Sequence, residues 1–413
     1  MSFLIAFLIF AIYFIVMCRK KIMYPSLIFS LMWGVACFLV AIAQLNIYET
    51  RLAPYFEFVY MNDYIILFSI SSIIGFRLAH NQNTQAKSIR PADTLPVLQY
   101  YLHKYRWIMH INFILGISRI IAMVSLYGFD SFHDYRMAIV SNQSTGIVSL
   151  IIRLSNYSLI FANYYIALLG FYHGRITVNK NQVLLNFLFF APVQMSTGGR
   201  LFILCFILYY FLPFILGRTI SMRVDAAKKF LSKSERIILL SILGPLIALV
   251  PIMGVLRSEE GSATIEDEGF NKFYYITDGM QTTEFVMVNF EGNFSPDYGK
   301  NSFLMSSTKN ISDFNSLKEG TRYGPMVNSI LVRLYFDFGF YGSIIAFCII
   351  AFILEYIGLR CIRNITMINL IIFVIILKIM YESAIFDAFA VSWMLKSLAL
   401  MYIFKKYIFK YSY

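Results

Sequence analysis

Charge is what this sequence has least of. Of its 413 residues only 14% are Asp, Glu, Lys or Arg, against about 25% in an average soluble domain. Cysteine is also sparse. Cys18, Cys37, Cys205, Cys348 and Cys361 lie in or beside apolar runs, and no pair has metal-ligand spacing. Neither a disulfide framework nor a zinc site is expected, and each thiol reads as small apolar filler. No internal repeat and no low-complexity tract stands out. The first apolar stretch lacks a basic start and a small-x-small cleavage site, so it reads as a retained helix rather than a signal peptide. These absences exclude a soluble enzyme, a disordered chain and a secreted disulfide scaffold.

What fills the space is apolar side chain, at 59% of residues with a mean hydropathy of +0.66, and it includes 40 Phe and 29 Tyr. Lipid-facing surface and interfacial belts have this composition. A membrane-crossing helix needs about 20 mostly apolar residues. Eleven segments qualify or come close: 2–18, 24–47, 61–80, 107–127, 148–172, 183–196, 201–217, 237–255, 335–357, 366–381 and 388–404. The expected fold is an all-α integral membrane protein, a polytopic helical bundle of about 11 transmembrane helices. Residues 1–255 hold helices one to eight, 256–334 form one large extracytoplasmic loop, and 335–413 hold the last three helices and a basic tail.

Orientation follows from Lys and Arg in short loops. Of the 35 basic residues, 21 lie in or flank alternate connections and the tail, among them Arg19, Lys20, Lys21, Arg77, Lys104, Arg106, Arg218, Arg360 and Lys405. Strict alternation places all of them on one side, the cytoplasmic one, with the N-terminus outside and the C-terminus inside. The net charge of +12 therefore records orientation and not a nucleic-acid partner. The large outer loop is net acidic, with eleven Asp/Glu and six Lys/Arg between 256 and 325, and is expected to form short helices lying over the bundle.

Ionisable residues inside membrane spans are costly and are functional candidates. Arg119 lies in the fourth span, Arg153 one to two turns into the fifth, Arg200 at the start of the seventh and Arg333 just before the ninth. Arg136, Arg257 and Arg322 fall at the same outer level. Each taken alone can snorkel to lipid headgroups. A convergent set suits a multivalent anion, because guanidinium grips phosphate in a bidentate way. The expected ligand is a lipid-linked diphosphate. Asp130, Asp134, Glu259, Glu260 and Asp337 are candidate bases toward a sugar hydroxyl, or salt-bridge partners that orient the arginines. His133 is the one histidine expected on the outer face. Gly198 and Gly199, just before Arg200, allow a tight turn with exposed amides at a helix start, where anions are favoured. Gly339 and Gly342 read as close-packing positions. No paired-His or Asp-x-Asp arrangement is found on this face, so no metal or other cofactor is expected.

These features resemble bacterial O-antigen polymerases, the oligosaccharide repeat-unit polymerases, and more distantly O-antigen ligases. The likeness rests on the multispan profile, the Gly198-Gly199-Arg200 turn, the late outer loop, and the segment Asn328 to Gly342 with its acidic Asp337 two residues before a Gly-x-x-Gly. It implies a GT-C-like membrane glycosyltransferase of the cytoplasmic (inner) membrane that acts on undecaprenyl-diphosphate-linked donor and acceptor glycans. A chain-length regulator protein is an implied candidate partner, and the chemistry would be metal-independent. Arg200 matches the family's arginine after the glycine turn. Arg136 and Arg257 match its loop arginines approximately, with Gly146 and Gly269 following at unequal spacings. Asn328 stands near where ligases carry a histidine. The resemblance for Arg136, Arg200 and Arg257, and the reading of ionisable residues for Asp337 and His133, together cast these five as catalytic residues. Arg119, Arg153, Arg322, Arg333, Gly198, Gly199 and Asn328 would bind the diphosphate. A lipid-linked oligosaccharide flippase and a ligase-type transferase remain the alternatives.

Overall fold

The computed structural model describes residues 1–19, 24–44, 60–82, 90–91, 95–127, 146–196, 201–224 and 330–383, together with positions 232, 235–237, 240, 280, 283–284 and 286–288. Nearly all of these are helical; the strands are the two-residue segments Arg90–Pro91 and Asn364–Ile365. Five stretches are long and apolar enough to cross a membrane: Pro25–Ile42, Met61–Gln82, Leu95–Leu126, Gly146–Arg175 and Ile330–Arg363. Ser2–Cys18 and Met367–Tyr381 are shorter apolar helices. The chain divides into two compact units, one of Met1–Arg90 with Phe270–Tyr413 and one of Pro91–Gly269.

The first unit contains α1 (Ser2–Cys18), α2 (Pro25–Gln44), α3 (Met61–Gln82), α9 (Ile330–Arg363) and α10 (Met367–Glu382). Rings from three helices form its core. Trp33 of α2 stands 4.6 Å from Phe68 of α3, Phe68 stands 4.6 Å from Phe347 of α9, and Phe29 stacks on Phe347 at 5.4 Å. Each such pair adds about 0.5–1.5 kcal/mol beyond area burial. Away from this core α9 exposes Tyr341, Ile345, Ile349, Ile353 and Ile357, every fourth residue. That repeat is a stripe along one helix face. In water such a stripe would drive association, whereas in hydrocarbon it is at home.

Hydrogen bonds set the alternation of helix direction in this unit. At one level the Trp33 indole N–H donates to Ser383 Oγ (2.9 Å), the Ile330 amide to the Ser383 carbonyl (3.2 Å), and the Tyr64 and Ser343 hydroxyls pair at 2.8 Å. At the other, Ser26, His80 and Glu355 meet. Ser343 and Glu355, which carry the two levels on α9, are separated by about 18 Å of helical rise.

The second unit contains α4 (Leu95–Lys104), α5 (Trp107–Tyr127), α6 (Gly146–Arg175), α7 (Lys180–Ser196) and α8 (Leu201–Val224). Helices in lipid gain little from burying apolar surface against one another, so close backbone approach carries the packing. A Cβ added at Gly170 would stand 2.1 Å from the Tyr210 carbonyl oxygen, and one at Gly174 would stand 2.2 Å from that of Phe214. The α6–α8 crossing is thus a small-xxx-small contact. In the α5–α7 contact, Gly116 faces Pro192 and Val193. Pro192 removes one helix hydrogen bond from α7, and beside it Asn112 Nδ2 donates to the Phe189 carbonyl at 3.0 Å.

Helices cover nine of the eleven expected segments. The expected spans 237–255 and 388–404 lie outside the described residues, apart from positions 237 and 240. Several ends differ from expectation for physical reasons. α8 runs to Val224, so Arg218 lies inside a helix and not in a loop; it is carried there by partners described below. α9 begins at Ile330, which brings Arg333 and Asp337 into its first two turns. α4 is an additional helix, separated from α5 by a two-residue turn at Tyr105–Arg106. Gly339 has φ 71° and ψ −169°, a left-handed break within α9, so its role is to kink the backbone rather than to admit a neighbour. Within the expected outer loop, the described positions are helical, and Met280, Thr283, Glu284, Val286 and Met287 are buried. Glu284 accepts from the Tyr60 and Met61 amides at 3.1 and 2.7 Å, so a carboxylate of this loop caps the N-terminus of α3.

Candidate functional site

Two of the sequence-selected arginines lie on packed helices of the second unit, α5 and α6. Arg119 on α5 is 1% exposed, and its Nη1 donates to Ser155 Oγ at 3.0 Å and Asn156 Oδ1 at 2.9 Å, both on α6. The Ser155 hydroxyl in turn donates a hydrogen bond to the Ile152 carbonyl. One turn along, Ser158 Oγ donates to Asn112 Oδ1 at 3.1 Å. A polar seam therefore runs between α5 and α6, which is how a guanidinium survives between apolar helices: its donors meet fixed oxygen acceptors. Arg153 lies three residues before Asn156 on α6 and is exposed, without an ion pair or hydrogen bond among the described residues. Arg153 thus lies about one turn along α6 from the Asn156 that receives Arg119.

In the first unit, Arg333 and Asp337 lie four residues apart on α9, one turn from each other and just before the Gly339 kink. Asp337 is fully buried, Arg333 is half-buried, and both engage partners. The remaining selected positions, His133, Arg136, Gly198, Gly199, Arg200, Arg257, Arg322 and Asn328, lie outside the described residues. Among the described residues no three His, Cys, Asp or Glu side chains group as metal ligands.

Three buried polar centres were not singled out from the sequence. Glu355 on α9 is fully buried. Its Oε2 accepts from the Ser26 amide (2.9 Å), and its Oε1 accepts from Ser26 Oγ (2.9 Å) and His80 Nε2 (2.8 Å). Since Ser26 sits in the first turn of α2, the carboxylate caps that helix. The same rule that selects Arg119, an ion in an apolar run, would have found it. The second centre is Arg218, 1% exposed, which pairs with Glu235, donates to the Ile176 carbonyl at 3.3 Å and lies over the Phe214 ring at 5.4 Å. Glu235 in turn accepts from the Ser232 amide (2.9 Å) while its own amide donates to Ser232 Oγ (3.2 Å). That reciprocal pair is a capping box. Burial pushes the Glu235 carboxyl up, but the Ser232 amide and the Arg218 charge outweigh it and hold the group below its ordinary value. The third is His173, fully buried on α6, between Tyr210 OH (2.8 Å) and Gln182 Oε1 (3.1 Å). An amide oxygen only accepts, so His173 carries its hydrogen on Nε2 and accepts at Nδ1 from the tyrosine.

In the second unit a guanidinium lies inside a helix of membrane-span length with hydroxyl and amide oxygens around it, and in the first a buried carboxylate, Asp337, lies one turn from Arg333. No protein-family model matches the chain, and neither a curated protein nor a solved structure is similar to it.

Proposed function

We propose that this protein is a membrane glycosyltransferase that polymerises undecaprenyl-diphosphate-linked oligosaccharide repeat units at the outer face of the bacterial cytoplasmic membrane. The observation that carries the reading is the set of arginines within apolar helices, away from the basic loops: Arg119 and Arg153 in one unit, and Arg333 beside Asp337 in the other. Glycosyl transfer from a lipid diphosphate breaks the anomeric C–O bond, and negative charge gathers on the departing diphosphate. Preorganised cations at that position lower the barrier, and one such contact can contribute about 3–4 kcal/mol. In this reading Arg136, Arg200 and Arg257 grip the leaving group with the span arginines. Asp337 or His133 takes the proton of the acceptor hydroxyl as the new glycosidic bond forms.

The test is reconstitution. Purified protein in liposomes is given synthetic undecaprenyl-diphosphate repeat units, with no nucleotide present. The reading expects a ladder of products, lost in Arg136→Ala, Arg200→Ala and Arg257→Ala variants that still insert. Labelled lipid crossing the bilayer without a ladder would assign a flippase instead. Transfer of a preformed chain to a lipid acceptor without elongation would assign a ligase-type enzyme.

A further inference from the structure

The second unit has an open cavity of about 430 Å³ where α5 and α7 begin, roughly 20 Å of helical rise along α5 from Arg119. Its walls come from α4, the turn before α5, α6 and the first two turns of α7. They carry amides, tyrosines, His103 and Arg106, but no carboxylate. Three groups give the cavity a polarity. Arg106 lines it and, among the described residues, makes no ion pair. Gln182 is oriented from behind: His173 donates to its Oε1, which turns its amide NH2 away from that bond. Asn186 is 4% exposed and uses its Nδ2 on the Gln182 carbonyl at 2.8 Å. Its Oδ1 makes no hydrogen bond among the described residues, and the side chain lines the cavity. With Nδ2 engaged in that bond, the oxygen is the atom that Asn186 has left to offer a ligand.

A guanidinium and an NH2 donor lining one cavity suit a phosphate. The α7 N-terminus at Lys180 adds a favourable dipole. The open Asn186 oxygen suits a hydroxyl. One ligand chemistry meets all three: a phosphate ester carrying free hydroxyl groups. The surroundings identify its source. Next to Arg106, Trp107 is 48% exposed, and Ile111 and Ile114 continue the exposed face along α5. Lys104 lies over the Tyr100 and Tyr105 rings at 5.5 and 5.6 Å. Aromatic and basic residues at the end of an apolar stripe mark a membrane interface. We infer that this cavity is a binding site for the headgroup of an anionic glycerophospholipid, with phosphate on Arg106, a headgroup hydroxyl on Asn186 and acyl chains along the Trp107–Ile111–Ile114 face. The site is separate from the proposed transferase chemistry and does not depend on it.

The test uses the purified full-length protein and native mass spectrometry, with phosphatidylglycerol, phosphatidylcholine and glycerol 3-phosphate as probes. Phosphatidylglycerol is expected to bind selectively. Arg106→Ala, at an exposed position that leaves folding intact, is expected to weaken it about tenfold. Asn186→Leu, which removes the acceptor for the headgroup hydroxyl, is expected to weaken it about fivefold. Lys104→Ala, a neighbouring cation that does not line the cavity, is expected to change binding less than twofold. Equal loss in Lys104→Ala and Arg106→Ala, or equal binding of phosphatidylcholine, would overturn the site. Binding of glycerol 3-phosphate as tight as that of the lipid would overturn the lipid as its source and assign a soluble phosphate ester.

Discussion

In the first unit the buried Glu355 takes its partners from membrane helices: the amide and hydroxyl of Ser26 at the start of α2, and His80 near the end of α3. In the second unit the buried Arg218 has a charged partner, Glu235, that lies beyond the end of α8 in a capping box with Ser232. Glu355 is held by dipoles and hydrogen-bond donors fixed in the helical frame, so its environment exists once the helices pack. The environment of Arg218 is complete only when the segment after α8 has folded back and formed its own cap. One ion secures helices to one another, whereas the other secures a connection to the helices. Buried ion pairs contribute little net stability over apolar replacements, but breaking one from a single side is expensive. The second arrangement is therefore the more vulnerable.

The largest effect that would expose this difference is Arg218→Ala, expected to cost about 3–5 kcal/mol because Glu235 keeps its burial and loses its counter-charge. Denaturation in mild detergent measures it. The double variant Arg218→Met with Glu235→Leu is expected to recover most of the loss. If the double variant is as unstable as the single one, the pair is not the cause and the contrast with Glu355 collapses.

Next in size is Glu355→Ala, expected to cost about 2–3 kcal/mol, since the Ser26 amide and His80 are each left without their acceptor in a dry site. Glu355→Gln refines the point. A glutamine oxygen still accepts from the Ser26 amide, and its NH2 can be received by Ser26 Oγ, so about 1 kcal/mol is expected. A Gln variant as damaged as the Ala variant would mean that the negative charge, and not the cap geometry, holds α2.

These centres also mark the boundary of what the chain discloses locally. Run length and hydropathy place the helices well, because crossing hydrocarbon is a one-dimensional constraint. They misplace ends where a distant partner changes the cost of a charge. Arg218 reads as the start of a basic loop until Glu235 and the Ile176 carbonyl are known to meet it. Gly170 and Gly174 have readable small-xxx-small spacing, but nothing local says that the Tyr210 backbone is the surface they meet. Gly339 reads equally well as a packing glycine or a kink, and only its backbone angles decide. Of the proposed diphosphate ligands, Arg119 and Arg153 are recognisable as arginines in apolar runs. How far apart they stand depends on the α5–α6 register, which the seam of Ser155, Asn156, Ser158 and Asn112 sets. Asn186 gave no signal, since one amide in a short apolar segment is ordinary until a cavity opens beside it.

The smallest effect concerns acid. Glu235 titrates below the ordinary glutamate value of 4.5 in the folded protein. A carboxyl whose folded value lies below its unfolded value contributes stability that is fully present above the unfolded value. That contribution fades as pH falls through the folded one. The stability difference between the native protein and Glu235→Gln should thus be constant from neutral pH down to about 4.5, then shrink as the medium becomes more acid. Thermal unfolding followed by tryptophan fluorescence across that range measures it. Because Ser232 and Arg218 both favour the ionised form, Arg218→Ala should raise the pH at which the contribution fades without removing it. A difference that instead grows with acidification would mean that Glu235 is protonated where it meets Arg218. The second unit would then hold its arginine with a neutral acceptor, as Ser155 and Asn156 do for Arg119 one helix away.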